Sequence, residues 1–98
     1  MTSQHRDIEV VRVVPRSGAR DELLQIRPRL IEEYRAHFGD RFTATLSEAE
    51  DGEWVDVWTW ADRADAEHAL EHQDLIPSFA QWEERVELRS LTWARVIA

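Results

Sequence analysis

The sequence predicts one α+β domain in the order β-α-β-β-α-β, with a four-stranded antiparallel sheet and both helices on one face. Three observations carry that expectation. Stretches with apolar residues at the helical 3.6-residue spacing alternate with stretches rich in Val, Thr, Ile and Trp. Gly, Pro or acidic turn residues punctuate the junctions between them. The chain has 98 residues, room for one domain and not two.

Taken in order, residues 1–7 are polar and read as a mobile tail, leaving 8–98 as the domain. Ile8 to Val14 is a Val-rich strand with interleaved charges, ended by Pro15 and a turn through Gly18. Ala19 to Phe38 is helical, with Leu23, Leu24, Leu30, Ile31, Tyr34 and Phe38 on one side of the wheel. Pro28 is expected to kink or split it, and Gly39 to stop it. Phe42, Ala44 and Leu46 alternate with polar residues in a second strand. An acidic turn then leads into a third, Glu53 to Ala61, completing a hairpin. Asp62 is the N-cap expected for a helix over Arg63–Gln73. Leu75-Ile76-Pro77 interrupts that helix, and a shorter one carries Phe79, Trp82 and Val86. Leu88 to Ile97 is the last strand, with Leu91, Trp93 and Ile97 on one side and Leu88, Ala94 and Val96 on the other.

Right-handed crossovers turn this order into a ferredoxin-like sheet with the first and third strands at its centre. The third and fourth strands are apolar on both sides, although helices can cover only one. A bare apolar sheet face is larger than a soluble monomer tolerates, which predicts a two-fold homodimer sealed through that face.

Composition narrows the chemistry. There is no Cys, so disulfides, thiolate metal sites and cysteine nucleophiles are excluded. The net charge of −8 argues against nucleic acid and anionic membrane surfaces as partners. No apolar run approaches the ~20 residues of a membrane span, and the opening residues lack a signal-peptide pattern, which predicts a cytoplasmic protein. Neither a Gly-rich phosphate loop nor a Ser elbow occurs.

Five of the nine aromatic residues are Trp, and Trp54, Trp58 and Trp60 fall on one strand with the same parity. They form either plain core or the walls of a flat pocket for an aromatic ligand. Asp56 shares their face, where a carboxylate needs a cation to offset desolvation. Arg27, near the middle of the first helix's apolar stripe, is one candidate; Arg12 on the first strand is another. Arg27 either bends out to water at Pro28 or pairs with Asp56. That pair is either a structural ion pair or the polar end of a ligand site. His68 and His72 have the i, i+4 spacing of a helical metal pair, but no third ligand is evident and both lie away from the helix's apolar side.

The element order, together with Trp54-Val-Asp-Val-Trp-Thr-Trp-Ala-Asp-Arg-Ala-Asp-Ala-Glu-His-Ala-Leu-Glu-His72 and the following Phe79, resembles the antibiotic biosynthesis monooxygenase-like family of the dimeric α/β-barrel superfamily. The resemblance spans about residues 8–97. It implies a homodimer, a hydrophobic cavity between sheet and helices, and oxidation of a phenolic or quinol-type ring by molecular oxygen without metal or flavin. It also implies that the third-strand positions of Asp56 and Trp60 face the substrate, with Asp standing where the family has Asn. The family's Arg on the second helix has no counterpart in Phe79-Ala80-Gln81; Arg27 is the residue that could replace it in space. The axial His and first-strand Asn of haem-degrading relatives are missing, which argues against haem.

Three readings follow. The first is a cofactor-independent monooxygenase with Asp56 and Arg27 at the reacting ring and Trp58, Trp60, Trp54, Tyr34 and His72 around it. The second is a non-catalytic homodimer that binds a small aromatic or apolar molecule. The third is a structural dimer with a polar interior. A cavity of about 300 Å³ or more beside Asp56 favours the first two; a filled interior with Arg27 locked onto Asp56 favours the third.

Overall fold

The computed structural model describes residues 6–98. The first five residues of the expected tail lie outside them. β1 (Asp7–Pro15) begins earlier than its apolar content suggested, because Asp7 pairs with both Trp60 and Arg95 and is buried. α1 (Arg20–Phe38), β2 (Phe42–Glu48), β3 (Trp54–Trp60), α2 (Arg63–Glu71), a 3-10 turn over Gln73–Leu75, α3 (Pro77–Arg85) and β4 (Val86–Arg95) follow.

All strand pairings are antiparallel, in the order β2-β3-β1-β4, so β3 and β1 are central as expected. Trp54, Asp56, Trp58 and Trp60 point to one face, joined there by Glu9 and Val13 of β1, and all six are buried. Leu23, Ile26, Leu30 and Tyr34 of α1 and Trp82 of α3 pack over them. The opposite face carries Ile8, Val10, Val14, Val55 and Val57, each half-buried.

Four expectations are corrected. α1 runs through Pro28 without a break. Pro28 and Leu24 are both exposed, so the Leu24 carbonyl that loses its donor faces water. Leu24 accordingly belongs to the outer side of the helix, at 46% exposure. Val86 is the first residue of β4 and not part of α3. Leu88 and Leu91 do not point to opposite faces: the register against β1 shifts between Arg12 and Val13, placing one extra residue on β4. That bulge brings both leucines to the helix-side face, where they line the same cavity.

The helix ends are fastened by side chains. Asp62 caps α2, its Oδ1 accepting from the Asp65 N–H at 2.9 Å. Pro77 opens α3 at a position that needs no donor. Glu33 reaches across from α1 to accept from the Ser78 N–H and hydroxyl, both at 2.8 Å, which docks the start of α3 onto α1. At the end of α1, Gly39 adopts φ +71°, a conformation that leaves its N–H bonded to the Arg35 carbonyl.

Candidate functional site

α1 lies across the sheet so that the residue beside Ile26 hangs over β3. Arg27 meets Asp56 there in a two-pronged contact, Nη2 to Oδ1 at 2.6 Å and Nη1 to Oδ2 at 2.8 Å. The side chains are 12% and 7% exposed. The guanidinium also lies 5.4 Å from the Trp58 ring centre and 5.2 Å from that of Trp82, a cationic plate between two indoles. Arg12 does not take part, since it points to the other face and binds Glu53 at 2.8 Å.

Beside this pair lies a cavity of about 230 Å³ between the sheet and the helices. Its walls are Trp58 and Trp60 of β3, Leu30 and Tyr34 of α1, and Ala66 and Ala69 of α2. Phe79 and Trp82 of α3, Val11 and Val13 of β1 and Val86 of β4 add to the apolar lining. Asp56, Glu9 and Gln73 are the polar groups that reach it from the interior. Leu70, Leu88 and Leu91 also line it, yet each is exposed, so the cavity opens between α2 and β4. The volume falls below the roughly 300 Å³ at the lower end of drug-sized ligand sites and suits a molecule of one or two rings.

Four of the residues expected around a ligand therefore meet: Asp56, Trp58, Trp60 and Tyr34. Their rings contact one another, Tyr34 with Trp58 at 4.9 Å and Trp58 with Trp60 at 5.9 Å between centroids. The other three do not line the cavity. Arg27 sits behind Asp56, with its charge directed into that carboxylate. Trp54 is 2% exposed, donates its indole N–H to Glu48 at 3.2 Å and packs near Trp82. His72 lies at the end of α2, its Nδ1 2.8 Å from the His68 carbonyl and its ring 4.3 Å from the His68 ring. Among the described residues no group of three or more metal-binding side chains joins these two histidines.

Sequence reasoning missed Glu9. It is 8% exposed, pairs with Trp58 across the central strands and stands one diagonal step from both Asp56 and Trp60. Burial pushes its carboxyl above the ordinary value of 4.5. The Trp60 indole N–H opposes that rise, the Asp56 charge adds to it, and Arg63 on α2 counteracts it more weakly. The Trp60 N–H does not achieve hydrogen-bond geometry with any partner; among the described residues Trp60 Nε1 is the one buried side-chain polar atom left unpaired. The Tyr34 hydroxyl is raised as well, by burial first and then by the Glu9 and Asp56 carboxylates, so it stays a neutral donor at physiological pH. Glu9 shares its side of β1 with Val11 and Val13, but Ile8 and Val10 make the other side equally apolar, so parity alone carried no signal.

No family model matches the sequence, and no curated protein does. Solved structures do match its fold. SnoaB, a cofactor-independent oxygenase of Streptomyces nogalater, superposes with a TM-score of 0.69 at 17% identity, over 98% of this chain and 94% of its own. A Chloroflexus aurantiacus protein provisionally named an antibiotic biosynthesis monooxygenase gives 0.72 at 10% identity, over 95% and 94%. Rv0793 of Mycobacterium tuberculosis gives 0.67 at 22% identity, over 95% and 94%. The chain has the fold of the antibiotic biosynthesis monooxygenase-like proteins. At these identities the likeness extends to the fold alone. Within this monooxygenase-like fold, the two third-strand positions singled out by the sequence, Asp56 and Trp60, both reach the cavity.

Proposed function

We propose that the chain is a homodimeric, cofactor-independent monooxygenase of small hydroxylated aromatic molecules bound in the cavity between sheet and helices. The observation that carries this reading is the cavity itself: an aromatic slot walled by Trp58, Trp60, Tyr34 and Phe79, with buried carboxylates at its inner end. A flat ring gains contact area against those walls. An electron-rich ring that has lost its hydroxyl proton can itself reduce oxygen. One oxygen atom enters the ring system and the other leaves as water with two hydrogens of the substrate, so no outside reductant is needed. The protein's part is shape, exclusion of water and a polar group near the reacting ring, Asp56, held in position by Arg27. The kinship of fold with SnoaB supports the same reading.

One observation favours the third reading, a structural dimer with a polar interior. Both oxygens of Asp56 accept from Arg27, an arrangement that also serves as a purely structural buried pair.

Oxygen consumption separates the two. The protein is incubated in an oxygen-electrode cell with a panel of dihydroxylated one- and two-ring aromatics. The oxygenase reading expects uptake with at least one of them, and a changed rate in an Asp56→Asn variant that remains folded by near-UV circular dichroism. No uptake across the panel, or an Asp56→Asn variant with unaltered turnover, sinks it.

A further inference from the structure

The charge inside the cavity selects what can enter it. Asp56 is neutralised by Arg27, which makes two hydrogen bonds to it and lies off the cavity wall. Glu9 has no such partner. Arg63, the cation whose charge bears on it, is engaged with Glu67 at 3.2 Å, Asp7 at 3.9 Å and the Trp93 ring at 3.9 Å. Beside Glu9 stands a buried donor, the Trp60 N–H, near enough to hold the carboxylate's charge but short of hydrogen-bond geometry with any described partner. A donor and an acceptor one diagonal step apart that do not reach hydrogen-bond geometry with each other are what a single hydroxyl between them satisfies at once, since its oxygen accepts while its proton is donated.

We infer that Glu9 and the Trp60 N–H together read the substrate hydroxyl, so that the cavity takes neutral hydroxylated aromatics and rejects anionic ones of the same shape, with Glu9 receiving the hydroxyl proton. This rests on the reading that an aromatic molecule occupies the cavity. In the proton step the substrate O–H bond breaks and a Glu9 Oε–H bond forms. The electron pair stays on the substrate oxygen, where the Trp60 N–H holds it. The site keeps the same total charge throughout. A bound carboxylate would instead place a second uncompensated charge beside Glu9.

The test is calorimetric titration of the full chain with 2-naphthol and with 2-naphthoate, under nitrogen and at neutral pH. Naphthol should bind at least about tenfold tighter. In Glu9→Gln, whose amide keeps an acceptor and loses the charge, naphthoate should tighten until the two differ by less than about threefold. Trp60→Phe should weaken naphthol severalfold. Lowering the pH should tighten naphthoate in the wild type, as Glu9 takes up its proton, and not in Glu9→Gln. Five other ionisable groups bear on Glu9 or share its face or cavity: Asp7 of β1, Asp56 of β3, Tyr34 of α1, Arg63 of α2 and, exposed at the mouth, Glu83 of α3; Arg27 acts only through its pair with Asp56. All five are common to both proteins and cancel in the comparison.

Equal affinities in the wild type, or a preference that survives Glu9→Gln, overturn the inference; no binding of either compound overturns it together with the ligand site. Because oxygen is excluded, a protein that shows the selectivity but consumes no oxygen retains this inference and loses the oxygenase reading.

Discussion

Replacing Arg27 by Met should be among the most damaging single changes in this chain. The variant keeps the unbranched apolar stem, ends short of the guanidinium's place beside Trp58 and Trp82, and removes the cation that meets Asp56. With the Asp56 side chain 7% exposed, water is a poor replacement for the two lost hydrogen bonds. Stranding one member of a buried pair costs about 3–5 kcal/mol. A domain of this size has roughly 5–15 kcal/mol in total. For a 98-residue chain the melting temperature should therefore fall by at least about 12 °C. Urea denaturation followed by tryptophan fluorescence reads the change directly as a shift in midpoint at constant slope. A second variant isolates the cause: Arg27→Met combined with Asp56→Leu removes both charges and should recover most of the loss. A single-variant loss below about 1 kcal/mol, the value of a solvated surface pair, would refute the dry interior on which the pairing argument stands.

Glu9 and the outer sheet face give two further expectations. Burial raises the Glu9 carboxyl above 4.5, so the folded chain holds that proton more tightly than the unfolded chain. Stability therefore falls as pH rises through the window between the ordinary and the raised value, and Glu9→Gln should melt higher than wild type at neutral pH, with the gain disappearing in acid below the ordinary value. Ile8, Val10, Val14, Val55 and Val57 leave an apolar patch on the sheet face away from the helices, so sedimentation at micromolar concentration should find a dimer. A species of single-chain mass throughout would remove the two-fold partner.

How far these features could be read from sequence depends on whether they are local. Asp62 announced the start of α2 because an N-cap bonds to a residue three positions on. Arg27 and Asp56 were legible as a candidate pair because each broke a pattern, a cation inside a helical stripe and a carboxylate among three tryptophans. Whether Arg27 would turn inward or outward was not, since that depends on the crossing of α1 over β3. Glu9 broke no pattern. β1 is apolar at both parities, with Ile8 and Val10 on one side and Val11 and Val13 on the other, so alternation could not tell which side was interior. Deciding it needs the register against β3, a contact spanning about half the chain. The β4 bulge is invisible for the same reason: one extra residue near Arg89 and Ser90 reverses the parity of Leu88 relative to Leu91 without any Gly or Pro to mark it. Both misses concern the cavity. Its inner acid comes from β1 and its apolar lip from β4, and only strand pairing sets either beside Trp58 and Trp60. The prominent tryptophans of β3 thus supply a wall, while the group inferred to separate a neutral ligand from an anion sits on the neighbouring central strand, in a segment whose sequence reads as an ordinary Val-rich strand.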